Sequence, residues 1–216
     1  MFWGPVKTNL YVDGFNFYFS SVRWTELLWV DFAALFRLVM PDDELNRIRY
    51  FTAVVKPEPQ DRDKPNRQMA YLRALQTIPN LTVHRGNFVR QEHLHMRVHP
   101  PHEEVAVRYY SEKGSDVKMA SYLLTDALEN DCDQSAVLTN DSDLVRPVEM
   151  LTTRGHRVVI IAPPDRAAKQ LIRAAGCRVR HYDRNFLRRS QFPDELFDAN
   201  GLIHKPALWN GPRPKD

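Results

Sequence analysis

Asp13, Asp116, Asp141 and Asp143 are the residues of this chain whose types and settings could do chemistry. They fall in three segments far apart in sequence: LYVDGFN (Leu10 to Asn16), EKGSDVKMA (Glu112 to Ala120) and VLTNDSDLV (Val137 to Val145). Each segment stands where a strand should end or a helix begin. Carboxylates at such places point off the rim of a parallel sheet, where α/β proteins bind their ligands. Four acids gathered there would be too negative to stand without a cation. Oxygen donors select a hard ion, Mg²⁺ or Mn²⁺, which takes one or two carboxylates and fills its shell with water and substrate phosphate. Two such ions about 3.5–4 Å apart can clamp the attacking and leaving oxygens of an in-line displacement at phosphorus. Asp116, in the first turn of a helix, also suits the helix dipole. The i, i+2 spacing of Asp141 and Asp143 lets both reach one centre from a turn. Asn16 and Asn140 are candidates to hold a phosphate oxygen or a water, and Thr139 to orient a ligand carboxylate.

Each segment also has an ordinary reading. Asp-Gly after a strand is a common turn. Ser115 or Asp116 can simply cap a helix. Asn-Asp-Ser-Asp can be an Asx-turn feeding the next helix. What favours chemistry is the coincidence of all three on one sheet edge.

The elements that must position these residues alternate along the chain. Thr8 to Val12, Arg47 to Val55, Leu81 to Val89, Val105 to Tyr109, Ser135 to Thr139, Arg157 to Ala162 and Cys177 to Tyr182 read as strands. Asn16 into the 20s, Asp31 to Met40, Asp61 to Gln76, Ser115 to Asn130, Leu144 to Thr153 and Arg166 to Ala175 read as helices. In the fourth of these helices Val117, Ala120, Leu123, Leu124 and Leu128 form the expected apolar face, with Asp126 and Glu129 on the wet side. Arg90 to Glu104 fits neither period and reads as a loop or irregular hairpin. Strands alternating with helices of ten or more residues predict an α/β fold, with a mostly parallel central sheet and helices on both faces. One domain over 1–183 is expected, followed by a tail over 184–216 packed on it and disordered at its end, near Pro212 and Pro214.

Bulk properties set limits on this picture. The 216 residues are 43% hydrophobic, enough to bury one sizeable core rather than two. The net charge of +3, with a pI near 8.9, is compatible with a polyanionic partner without demanding one. If acids cluster at one site, basic residues must dominate much of the remaining surface, as suits a nuclease. Two cysteines, Cys132 and Cys177, neither build a disulfide scaffold nor make a zinc site alone. No apolar run reaches the length of a membrane span, and a cytoplasmic location is expected.

Three stretches make the sequence recognisable: YVDGFNFYF at Tyr11 to Phe19, EKGSDVKMASYLLTDA at Glu112 to Ala127, and LTNDSDLVRPV at Leu138 to Val148. With RGHRVVIIAPP and SQFPDELFDANGLIHKP, they resemble the NYN-domain group of PIN-like nucleases, in particular its bacterial LabA-like (DUF88) branch. The resemblance covers nearly the whole chain and is weakest from Arg90 to Glu104. It implies a PIN-like Rossmannoid sheet and a metal-dependent ribonuclease. Its acidic positions fall on Asp13, Asp116, Asp141 and Asp143, with Asn16 as polar partner, and none is replaced. On this reading water activated by one or two Mg²⁺ or Mn²⁺ ions attacks an RNA phosphodiester in line, leaving a 5′-phosphate and a 3′-hydroxyl. Rival readings are a non-catalytic RNA-binding or regulatory module that keeps the metal site, and a phosphatase using an aspartate nucleophile in Asp141-Ser142-Asp143. RNA is the expected partner, a membrane is not, and self-association is left open.

Other residues invite weaker readings. Lys113 and Lys118 flank Asp116, and with Asn140 and Arg146 are candidates to contact nucleic acid. Lys56, Arg62, Lys64, Arg67, Arg85, Arg90 and Arg97 are candidates to frame the same pocket, with solvated charges as the ordinary reading. Tyr18, Phe19, Trp24 and Trp29 could stack bases, although the spacing of Phe15 and Phe19 favours core. His84, His93, His95, His99 and His102 match no structural zinc spacing.

Overall fold

The computed structural model describes residues 5–163, 168–176 and 178–211. Strand β1 (Val6–Asp13) is the centre of a seven-stranded sheet whose order is β4-β3-β2-β1-β5-β6-β7. Its neighbours are β2 (Asp43–Ala53) on one side and β5 (Gln134–Leu138) on the other, both parallel to it. The chain therefore winds outward one way through β2 and β3 (Leu81–Met96). It returns to lay β5, β6 (Arg157–Ala162) and β7 (Val179–His181) the other way. Only β4 (Glu104–Lys113) runs antiparallel, against β3. The order reverses between β1 and β5. A doubly wound sheet opens a crevice there, outside the carboxyl ends of the strands.

Alternation along the strands divides the core in two. Leu10, Val12, Ile48, Tyr50, Ala136, Leu138, Val159 and Ile161 face one layer. That layer holds α2 (Phe32–Val39) and α3 (Lys64–Leu75). Tyr11, Phe51, Val137, Val158 and Ile160 face the other, with α4 (Ser115–Leu128), α5 (Val145–Thr153) and α6 (Lys169–Ala174). Both faces of β5 and β6 are buried, so these strands read as unbroken apolar runs. Asp31 caps α2, its Oδ1 accepting from Ala33 N at 2.8 Å and Ala34 N at 3.0 Å.

Three features differ from what the residues suggest on their own. Arg90 to Glu104 is not irregular: β3 continues to Met96 and pairs residue for residue with β4, from Asn87↔Lys113 to Met96↔Glu104. Beyond Val89 both faces of this hairpin are largely exposed, so alternation carries no polarity contrast and its period is hidden. Helix α4 buries Ser115, Met119, Leu123 and Asp126, whereas Val117 and Leu128 lie in solvent, 70% and 65% exposed. Phe19 is 55% exposed rather than core. It belongs to a π-type turn, Tyr18–Val22, that extends the short helix α1 (Gly14–Phe17).

The chain after His181 forms α7 (Arg184–Arg189) and a hairpin of β8 (Glu195–Asp198) and β9 (Gly201–His204). Leu187, Phe192, Ile203 and Trp209 join the first core layer. Trp29, fully buried, donates its indole N–H to Pro193 O at 2.8 Å, and Arg73 grips Asp198 through two hydrogen bonds. The end of the tail, with Pro212 and Pro214, lies outside the described residues, as do Arg166 and Cys177. Among the described residues no helix is long and apolar enough to cross a membrane.

Candidate metal centre

Asp13 is the last residue of β1 and the N-cap of α1, its Oδ1 accepting from Asn16 N at 2.9 Å. Thr139, directly after β5, donates its hydroxyl to Asp13 Oδ2 at 3.0 Å and accepts from Asp141 N at 3.1 Å. Asn16 Oδ1 in turn accepts from Asn140 N at 2.9 Å. These bonds stitch the end of β1 to the end of β5. Asp141 caps the turn Ser142–Leu144, its Oδ1 accepting from Asp143 N at 2.9 Å.

Asp116 arrives from the far edge. β4 ends at Lys113, and Gly114 turns the chain with φ of +93°, a left-handed conformation that a side chain would strain. Glu112 Oε1 then accepts from Ser115 N at 3.2 Å and Ser115 Oγ at 2.8 Å, capping the helix start. Capping thus falls to Glu112, which leaves the Asp116 carboxylate free to face Asp13 and Asp141.

One carboxylate oxygen from each of Asp13, Asp116 and Asp141 lies within 4.8 Å of the others. Asp13 is buried, Asp141 half-buried and Asp116 exposed. Desolvation, with the charges of Asp116 and Asp141 adding to it, lifts the Asp13 pKa to about 6 against the hydrogen bonds from Asn16 and Thr139. Asp116 is exposed at the residue level, yet partial desolvation of its carboxylate in the groove raises its pKa, and Asp141, Glu112 and Asp143 push it the same way. Such mutual repulsion is what a cation relieves, and the donor set, oxygen only, fits Mg²⁺ or Mn²⁺ rather than zinc. Asn140 Oδ1 is buried beside this group without a hydrogen-bond partner among the described residues.

Asp143 lies outside the three-carboxylate group and is exposed, reaching it through its backbone N–H and its charge on Asp116. Lys118 is turned to the neighbouring strand, its ammonium donating to Arg85 O. Lys113 is exposed, and Arg146 extends into solvent beside Glu149 at 3.2 Å. No histidine joins a metal-type group among the described residues. His84 stacks on Phe51 at 4.9 Å, and His93 and His95 pack on Tyr109.

The acids form the floor of an open groove of about 960 Å³. Its walls include Phe15, Phe19, Phe88 and Tyr110, with Lys56 and Lys64 at one side. Phe88 and Tyr110, from the hairpin, are aromatic wall residues that sequence reasoning missed, since nothing local ties β3 or β4 to the rim. Behind Phe15 and Phe19 a second, smaller cavity of about 130 Å³ opens, lined by Phe17, Tyr18, Leu28, Tyr50, Tyr71 and Trp209.

A doubly wound α/β sheet with a carboxylate triad at its switch point defines a PIN-like protein with a metal-type site. The chain belongs to the NYN domain family, which it matches over residues 7–180, and that family is nuclease-like. Among curated proteins it is similar to 6-hydroxy-3-succinoylpyridine 3-monooxygenase HspA of Pseudomonas putida. The two are 26% identical over 241 residues, covering 96% of this chain and 76% of that one. Among solved structures it is similar to a protein of unknown function from Vibrio parahaemolyticus. The TM-score is 0.58 and the identity 17%, with 86% of this chain and 98% of that one covered.

Proposed function

We propose that this protein is a ribonuclease of the LabA-like branch that hydrolyses single-stranded RNA with Mg²⁺ or Mn²⁺. The observation that carries the reading is the approach of Asp13, Asp116 and Asp141, from three separate rims, to within 4.8 Å in a groove walled by aromatic rings. These three carboxylates would hold the cation, with Asp143 adding charge from the next turn. A divalent ion there supplies Lewis acidity, activating water and offsetting charge on the phosphodiester. Asn16 and Thr139 fix the Asp13 carboxylate and the β5 turn in register. Asn140 Oδ1, which has no partner among the described residues, is suited to orient water by accepting a hydrogen bond from it. Lys56 and Lys64 meet the phosphate backbone, while Phe15, Phe19, Phe88 and Tyr110 stack bases, as sequence-tolerant single-strand binding requires. Lys113, Lys118 and Arg146 add long-range attraction.

The test is cleavage of mixed RNAs in Mn²⁺. Asp13→Asn and Asp141→Asn are each expected to lower the rate at least about 100-fold, as loss of a metal ligand should. Products should carry 5′-phosphates. Absence of cleavage with any divalent metal, or full activity of Asp141→Asn, would overturn the proposal.

The ring-sized cavity beside the groove favours one second reading, oxygenation of a heteroaromatic ring, the reaction in the name of the Pseudomonas relative. It would need dioxygen and an external two-electron donor. Oxygen uptake on 6-hydroxy-3-succinoylpyridine by protein that leaves RNA intact would establish it over the nuclease.

A further inference from the structure

We infer that the smaller cavity is a subsite for one planar monocyclic heteroaromatic ring, bound beside the acidic centre. Size is the first reason. At about 130 Å³ it is close to the roughly 150 Å³ of an engineered apolar cavity in another protein that accepts benzene. A single six-membered ring fits that space, and a fused purine does not.

The lining is the second reason. Phe17, Tyr18, Tyr50, Tyr71 and Trp209 surround the space with ring faces and edges, which favour a flat π-system over an aliphatic chain. The walls are otherwise satisfied. Gln68 donates to Ala53 O at 2.9 Å and accepts from Val55 N at 2.8 Å, and Tyr71 donates to Val30 O at 2.9 Å. Lys64 and Arg67 are paired with Glu58 and Asp61. Tyr50 is the exception: its hydroxyl finds no partner among the described residues. A ring nitrogen or exocyclic oxygen would satisfy it. Gly14 matters here, because a Cβ at that position would lie 2.6 Å from Tyr50 Oη and displace it.

Position is the third reason. Phe15, Phe19, Val55 and Lys64 line both the cavity and the acidic groove, so a ring held in one is attached to a chain lying in the other. The shared ligand chemistry is a pyrimidine-sized ring with a polar edge. Its source is either a pyrimidine base of the RNA strand, an assignment that rests on the nuclease reading, or a free heteroaromatic.

Ligand-observed NMR on the chelator-treated full chain separates these. Uridine, cytidine and 2-hydroxypyridine are expected to show saturation transfer and to compete, while adenosine and guanosine at equal concentration do not. Leu28→Phe, which fills the space, should weaken ring binding about tenfold. Tyr50→Phe, which removes only the hydroxyl, should weaken it roughly fivefold. Circular dichroism on both variants confirms folding. In Mn²⁺, uridine and cytidine oligonucleotides should be cut faster than adenosine and guanosine ones, and Leu28→Phe should flatten that ratio. Ring binding without RNA cleavage sinks the nuclease and leaves the subsite. Binding of 2-hydroxypyridine alone, or binding with cleavage blind to base, assigns the subsite to free heteroaromatics. Failure of all three monocyclic probes to bind, or equal binding of purines, overturns the subsite even where RNA is cut.

Discussion

Asp13 serves the structure and the site with the same carboxylate. One oxygen caps α1 and the other accepts from Thr139, so the ordinary turn reading of Asp-Gly and the ligand reading hold together. This double duty has an energetic consequence. In the unfolded chain the carboxyl titrates near about 4, whereas burial in the fold lifts it to about 6. Between those values the folded state holds more protons, so stability without metal is full below the window and lost as pH rises through it. The shift corresponds to roughly 3 kcal/mol at most. Asp13→Asn keeps an acceptor for the cap and loses the charge. It is expected to stabilise chelator-treated protein at pH 7 by about 1 kcal/mol and to flatten the decline between pH 4 and 7. Thermal denaturation in EDTA across that range measures both effects. Subtracting mutant from wild type removes the contribution of His84, whose burial beside Arg49 lowers its pKa to about 4 and gives the opposite slope. A mutant less stable than wild type at pH 7 rules the account out. At this scale the approach of Asp13, Asp116 and Asp141 was legible because motif and turn chemistry are local, whereas Asp143, expected among the ligands, stands outside the group. Glu112 as the cap of α4 and the Tyr50 hydroxyl, without a partner among the described residues, were not, since each acquires its role from residues the fold brings to it.

Helix α4 shows what sequence periodicity misses at the next scale. Its inner face carries Asp126, which looks like a wet-face residue because its partners lie far away in the chain. Arg49 of β2 meets it through Nε at 2.6 Å and Nη2 at 2.7 Å, and Tyr11 of β1 donates at 2.7 Å. Tyr122 covers the guanidinium at 4.2 Å. The pair docks α4 across β1 and β2 and so holds the helix start, with Asp116, over the end of β1. Asp126→Asn is expected to cost about 3 kcal/mol, because Arg49 is left as a buried charge without its counter-ion. It should also weaken Mn²⁺ binding without touching a ligand. Urea unfolding and calorimetric titration of Mn²⁺ read the two effects. Arg49→Met with Asp126→Leu should recover stability, as apolar replacements of buried ion pairs often do. An Asp126→Asn protein of unchanged midpoint and metal affinity refutes the docking role. The parallel strands were legible for the converse reason: burial on both faces leaves an unbroken apolar run, whereas the exposed β3–β4 hairpin has no buried face to pattern it.

Across the whole molecule the two core layers differ in what closes them. Among the described residues, the layer holding α4, α5 and α6 is closed by helices and the turns that lead into them. The layer that carries the ring cavity is closed by the segment after α7, through an aromatic cluster. Trp209 meets Trp29 at 6.0 Å and Tyr71 at 5.9 Å between ring centroids, and Phe192 meets Trp29 at 5.9 Å. Backbone bonds from Asp31 N to Ser190 O, 2.7 Å, and Phe192 N to Trp29 O, 2.9 Å, hold the segment in place. The sequence alone suggests a tail packed on the surface here, because short strands and isolated aromatics lack a period. We propose that this segment is an integral wall of the domain rather than an appendage. Trp209→Ala removes the largest side chain of that wall, and is expected to cost about 3 kcal/mol by cavity formation in an aromatic cluster. The same change opens the ring cavity on one side, so ring binding should fall with stability, while the acidic triad, on the opposite side of Phe15 and Phe19, keeps its Mn²⁺ affinity. Urea midpoints, saturation transfer from uridine and calorimetry with Mn²⁺ report the three quantities on one variant. Loss of stability together with intact ring binding separates the wall from the subsite; unchanged stability shows that the segment only rests on the domain.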